Sequence, residues 1–322
     1  MLNKIGRLDS EDKKELLLII QDLLKLAESK KNEKKLRNEL KKLGMTQNYF
    51  IREYVGNTLA ELDKKRLLYP ILKDFIDHKF YGARAIALFY LCKVHEHDVE
   101  EIFSILEKTF ETTPWEVETI ITELWKDDPE FMKENMLKWI KSDNTKRRAL
   151  SFHGMEYISK TDPVYIMDFI GEAIDDDTME VQKKITHILS QIARDNPIVV
   201  YPYIHQWLKD ANDRRLKTIW VSMKKLANIV NQRARRDDEE QFVRLTEQTI
   251  DDWAHDENEK VATMGEKLQY ILSRRYSNSN NHNKQNNNNQ GSYNNQNSYK
   301  NQNNSNRGNR NSKNNRNNYR KR

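Results

Sequence analysis

The groups in this chain that could do chemistry unaided cluster between Thr113 and Arg148, with a histidine further on. In Pro114–Asp127, the residues Val117, Ile120, Ile121 and Leu124 share one helical face at about 100° per residue, so that face is the one to be buried. Trp115 then projects roughly opposite it, with Glu118 about one turn away. Two plain roles stay open: an indole lying along the next helix, and an acid favoured near a helix N-terminus. Trp139 ends a second helix, and Ser142-Asp143-Asn144 leads into Lys146, Arg147 and Arg148 on a third. His187 sits on a later helix whose buried face is Val181, Ile185, Ile188 and Ile192; it lies opposite, near Lys183, Gln191 and Arg194. Aromatics, an acid and cations thus fall on the wet sides of neighbouring helices.

Those helices share a start signal. Thr113-Pro114, Asp128-Pro129, Asp162-Pro163 and Asn196-Pro197 each place a capping residue before a proline, which is tolerated where a helical N–H would be unpaired anyway. Paired amphipathic segments recur at a combined period of about 35 to 40 residues, the mark of a HEAT-like α-solenoid in which each pair stacks on the next. The fold expected is all-α, a helical-repeat superhelix with a basic concave groove; a bundle of the same helices is the competing architecture. Ser10 is read as the first cap, Gly44 as a helix stop, and Lys64–Lys79 and Thr145–Ser159 as single helices.

Composition agrees. Of 322 residues 37% are apolar and 32% charged, with only 9 Gly and 6 Pro, too charged and turn-poor for a sandwich or a doubly wound sheet. No window reaches a membrane span and no signal-peptide pattern is read, so no membrane partner is expected. The one cysteine, Cys92, reads as a buried thiol suited to a reducing cytoplasm. The net charge of +6 is misleading: nine Lys/Arg and no acid lie from Ser277 to Arg322, leaving 46 bases against 49 acids before them. A nucleic-acid surface on the body must therefore come from local segregation of charge. Basic groups do recur once per repeat, at Lys64-Lys65-Arg66, Lys183-Lys184, Arg214-Arg215, Lys224-Lys225 and Arg233–Arg236. If they share a face they form a phosphate-binding stripe. Residues 1–276 are read as one repeat domain, 237–276 being its terminal cap. Residues 277–322, with 21 Asn, are read as a disordered tail that either touches nucleic acid loosely or only solubilises. His95 and His97 have no third ligand at useful spacing, and no phosphate loop, nucleophile elbow or H-E-x-x-H is present, so neither metal nor cofactor is expected.

The tryptophan followed within a turn by an acid, then Trp139-Ile140-x-Ser142-Asp143-Asn144, then Arg147-Arg148-Ala149, resembles the AlkD-like DNA alkylation repair family of HEAT-repeat DNA glycosylases. Val181–Ile185 and Ala193–Val200 extend the likeness, which covers residues from about 10 to about 235. The resemblance implies a cytoplasmic monomer (nucleoid-associated if bacterial) acting on alkylated duplex DNA. It implies hydrolysis of the N-glycosidic bond of N3- or N7-alkylated purines, the acid stabilising the positive sugar. Glu118, Trp115 and His187 become the catalytic group, and Arg148, Arg147, Lys146, Trp139, Lys183, Arg214 and Arg215 the DNA ligands, with pairing to a carboxylate as the structural alternative for Arg148. Two departures stand out. The family acid is an aspartate one residue further from its tryptophan, whereas the chain offers Glu118, with Glu116 second; and His187 stands where the family has another groove tryptophan. A non-catalytic DNA binder on the same scaffold is the alternative, and a scaffold for other proteins the third reading.

Overall fold

The computed structural model describes residues 2–233 and 240–287, and these are helical throughout, joined by turns. Two compact units divide the chain, Met1–Arg275 and Tyr276–Arg322, and the repeat layers belong to the first. In order come α1 (Ser10–Ala27), α2 (Glu33–Gly44), α3 (Tyr49–Leu62), α4 (Tyr69–Phe75), α5 (Tyr81–Val94), α6 (Val99–Thr109), α7 (Pro114–Asp127) and α8 (Pro129–Ile140). After these are α9 (Thr145–Leu150), a 3-10 turn (Met155–Ile158), α10 (Pro163–Ala173), α11 (Met179–Asp195), α12 (Pro197–Lys209), α13 (Asp213–Arg233), α14 (Glu240–Ala254) and α15 (Glu259–Asn287).

Packing sorts these into two layers. In one, α3, α5, α7, the α9–turn segment, α11 and α13 each lie against the next; in the other, α8, α10, α12 and α14 do the same. Helix α6 joins the second layer through Phe103, whose ring meets Phe131 and Trp139 of α8. The amphipathic helices bury one stripe between the layers, whereas α5 is buried on nearly every side from Ala85 to Cys92. On α7 that stripe is Val117, Ile120, Ile121 and Leu124, all buried, and each such side chain contributes about 1.5–3 kcal/mol by leaving water. This is the helical-repeat solenoid the period foretold.

Local chemistry sets the boundaries. Asp128 and Asp162 cap α8 and α10, accepting from the amides of Phe131 and Tyr165. Thr113 does not cap α7; its hydroxyl turns back to the Thr109 carbonyl. Asp9, not Ser10, caps α1, in a reciprocal pair with Asp12. Gly44 does end α2, and packing requires glycine there: a Cβ on it would lie 2.7 Å from the Ala83 nitrogen, and one on Gly82 at the start of α5 would lie 1.9 Å from the Gly44 carbonyl oxygen.

Two expected helices are shorter than their periodicity suggested. Residues 64–68 are not helical, because Asp63 accepts from the amides of Leu67 and Leu68 and from the Tyr90 hydroxyl, and Arg66 takes a positive φ of 54°. Thr145–Ser159 breaks after Leu150. Gly154 sits at φ 80°, and a Cβ there would meet Trp125 Cδ1 at 2.5 Å, while the Trp125 indole donates to the His153 carbonyl at 2.9 Å. A buried indole on α7 thus wedges the chain open. Gly154→Ala should cost about 2 kcal/mol or more, since the left-handed conformation and the indole contact both penalise a Cβ; a urea midpoint equal to wild type would refute the wedge.

At the C-terminal end, α14 packs on α12 and α13, and Asn231 on α13 donates to the Ile271 carbonyl. Helix α15 runs on to Asn287, past the end expected at Tyr276. Extension adds one hydrogen bond per residue once a helix exists, and neither Gly nor Pro intervenes before Gly291. The rest of the tail, Arg235, Arg236 and the acidic run Asp237–Glu239 lie outside the described residues.

Candidate functional site

The break at Gly154 turns two side chains toward the layer of α7 and α11. Beyond α9, His153 and Glu156 face Glu118 of α7 and Lys184 and His187 of α11. Lys184 Nζ donates to Glu118 Oε1 at 2.8 Å and stands 3.3 Å from His153 Nδ1. His153 Nδ1 is 3.9 Å from the same carboxylate oxygen, and His187 Nε2 is 3.2 Å from Glu156 Oε1. Glu118 and Lys184 are about a third exposed, at 30% and 27%, and His187 is 59% exposed. Burial pushes the His153 pKa down, Glu118 working against this and Lys184 with it, so the imidazole is neutral near pH 7 and accepts from Lys184. The cluster is an accessible carboxylate with an amine fixed on it and two imidazoles alongside.

Trp115 fulfils its expectation of pointing outward, being 67% exposed. Its side chain leans the other way along the layer, however, bordering a cavity of about 540 Å³ with Met45, Phe80 and Tyr81. Beneath it Glu116 is wholly buried. Arg52 Nη2 and Nε donate to Glu116 Oε1 at 2.9 and 3.2 Å, and the Tyr81 hydroxyl donates to Oε2. With both oxygens engaged, Glu116 is a fold carboxylate and drops out as the alternative acid; Glu118 is the one that a ligand can reach.

The cations separate into two kinds. Arg148 donates from Nε to Asp176 at 2.7 Å and from Nη1 to the carbonyls of Ser142 and Asp143. Arg84 on α5 does the same, to the carbonyls of His78, Lys79 and Thr112. Arg215 grips Asp175 with Nε and Nη2, at 3.1 and 2.6 Å, and Asp210 with Nη1. These arginines tie turns of adjacent repeats together, so Arg148 and Arg215 are corrected from DNA ligands to staples. Trp139 is corrected likewise: it is 2% exposed, packs on Phe103 and Phe110, and donates its indole N–H to Glu107. Arg147 lies over the Phe110 and Trp139 rings, at 4.9 and 5.7 Å from their centroids. Among the described residues, Lys146 and Lys183 are exposed without a carboxylate partner, and Arg214 has only Asp177 at 3.8 Å. These three are free to meet phosphate.

The Arg215 staple titrates. Its hydrogen bond holds the Asp175 carboxyl below the usual 3.8, with burial opposing. A depressed folded pKa means that the contribution is whole above 3.8 and is lost as pH falls below it. Asp175→Asn should therefore flatten the acid limb of the stability–pH curve and leave stability at pH 7 lower than wild type; parallel acid limbs would show the pair to be idle.

The partner set of Glu118 is what sequence reasoning missed. Lys184 was visible as half of a lysine pair, and Lys184 and His187 are three apart on one helix, a spacing that makes neighbours. His153 and Glu156 were hidden by the break at Gly154. Among the described residues no group of three metal-ligating side chains comes together, and no helix is long and apolar enough to cross a membrane. Cys92 is buried, and burial pushes its thiol pKa up.

Set beside known proteins, residues 19–221 match the model of a family described as DNA alkylation repair enzyme. No curated protein matches. Among solved structures, the designed armadillo repeat protein YIII(Dq)4CqI is 13% identical, covering 79% of this chain and 99% of its own. The TM-score between the two is 0.22.

Proposed function

Because the chain belongs to the DNA alkylation repair enzyme family, we propose that it is a DNA glycosylase that releases N3- or N7-alkylated purines from duplex DNA. The observation that carries this reading is Glu118: an accessible carboxylate on the α7–α11 layer, one helical turn from an exposed tryptophan. As the glycosidic bond of an alkylated purine breaks, positive charge shifts from the base to the sugar, and a fixed carboxylate nearby stabilises it more than it stabilises the ground state. His187 packs against the lesion nucleotide, while Trp115 leans toward the cavity beside Met45, Phe80 and Tyr81. Lys146, Lys183 and Arg214 take the phosphates in place of Arg148 and Arg215. The reaction draws on no metal or organic cofactor.

A second reading has its own observation. Lys184 sits on Glu118 and offsets the charge a cationic lesion needs, as suits a member that binds DNA without cleaving it. The two separate cleanly. Free base should appear from a duplex carrying one N7-methylguanine, and affinity should fall with salt with a slope of about −2.7 for three phosphate contacts. Binding without base release would favour the second reading, and absence of salt-sensitive binding would remove both.

A further inference from the structure

Base release makes no use of the amine at the centre of the Glu118 cluster. Lys184 is unlike the neighbouring cations: Lys146 and Lys183 face solvent, Arg148 and Arg215 are held by turns, and Lys184 Nζ is held 2.8 Å from Glu118 Oε1 and 3.3 Å from His153 Nδ1. An amine is a nucleophile toward carbonyl carbon. Loss of a base leaves deoxyribose whose ring-opened form is an aldehyde at C1′. The inference rests on the glycosylase reading in one respect: there Glu118 faces that sugar, so the amine fixed on Glu118 faces the same carbon.

We propose that Lys184 forms a Schiff base with the C1′ aldehyde of an abasic site, giving the protein an abasic-site lyase activity. The Lys184 ammonium yields a proton to Glu118, and the neutral Nζ bonds to C1′ as the aldehyde oxygen becomes a hydroxyl, its proton coming from the nitrogen. Glu118 returns its proton to that hydroxyl, which leaves as water, and a protonated imine joins Nζ to C1′. Glu118, again a carboxylate, removes a proton from C2′. The electron pair of that C–H bond forms a C2′–C3′ double bond, and the C3′–O bond breaks with its pair on the departing phosphate. Water hydrolyses the imine, which restores the Lys184 ammonium and leaves an unsaturated aldehyde on the sugar. The water lost in forming the imine is regained here, and the proton on Glu118 passes to solvent. No oxidant or reductant is consumed. Neutral His153 orients the amine by accepting from it and takes no covalent part.

The test uses the full chain and a duplex with one preformed abasic site, so it runs whether or not the protein releases bases. Borohydride reduces the imine to a stable amine, and the expected result is a protein–DNA adduct that maps to Lys184. Lys184→Arg keeps a cation on Glu118 but cannot form the imine, so the adduct should fall at least about tenfold. Lys126→Arg, at the far end of α7 on Glu123, should leave it unchanged. A duplex with a tetrahydrofuran in place of the abasic sugar, having no aldehyde, should give none. Absence of an adduct from wild type, or an adduct that survives Lys184→Arg or maps to another lysine, overturns the proposal. Base release without trapping would leave the glycosylase reading standing alone, and trapping without base release would do the reverse.

Discussion

Glu116→Ala should lose about 3–5 kcal/mol of stability, while Glu118→Ala, two residues further on, should lose under about 1 kcal/mol. The contrast arises from where the two carboxylates sit. Glu116 is wholly buried against an arginine that is 4% exposed. With the Tyr81 hydroxyl the pair becomes a trio across three helices, Arg52 on α3, Tyr81 on α5 and Glu116 on α7, which fixes the first repeats of the layer to one another. Removing the carboxylate leaves a buried guanidinium with one remaining hydrogen-bond acceptor among the described residues, the Thr46 carbonyl at 3.3 Å, beside the Tyr81 ring at 5.4 Å, and takes away the acceptor of the Tyr81 hydroxyl. An uncompensated buried charge is what makes breaking such a pair costly. Glu118 and Lys184 keep contact with water, and either can be rehydrated when the other goes. Urea unfolding monitored by helical circular dichroism measures both. A loss at Glu116 of only about 1 kcal/mol would mean that water enters through the cavity beneath Trp115 and already solvates the pair.

These two residues also show how far a sequence can be read. The outward projection of Trp115 and the inward one of Val117 and Leu124 came from period alone, because burial obeys helical angle. So did the layers, since four Pro-started helices of similar length leave few ways to stack. Angle does not say whether a polar residue near the edge of the buried stripe is sunk or wet. Glu116 lies at that edge, and Arg52, 64 positions away, together with the Tyr81 hydroxyl makes it a core residue. The same limit accounts for Trp139, whose motif looked like part of a binding surface while Phe103 and Phe110 closed over it. It also accounts for Arg148 and Arg215, whose recurrence is real but reports turns that repeat rather than a stripe of free charge. The cluster on Glu118 was hidden for another reason: Gly154 breaks a periodic stretch because Trp125 needs room and a carbonyl, a tertiary demand with no local signature.

Glu118→Gln should lower release of N7-methylguanine by about 10²-fold, the lower end of the 10²–10³ range for removing one electrostatic stabiliser from a reacting centre. A unit charge about 4 Å from a carboxylate gains about 4 kcal/mol at an effective dielectric of about 20, but the Lys184 ammonium on the same oxygen opposes part of that gain. Glutamine preserves the shape and can still accept from Lys184 through its amide oxygen, so neither folding nor affinity for undamaged duplex should change, and the loss should fall on kcat rather than on binding. Equal release by mutant and wild type would move the stabilising charge to another group, and Glu156, 3.2 Å from His187, is the next carboxylate in reach. The position of Lys184 makes a further demand. If its ammonium does oppose the positive sugar, Lys184→Gln should release base faster than wild type while failing to trap an abasic site. The same side chain would then slow base loss and act on the product it leaves, a combination that neither a plain glycosylase nor a plain DNA-binding solenoid would display.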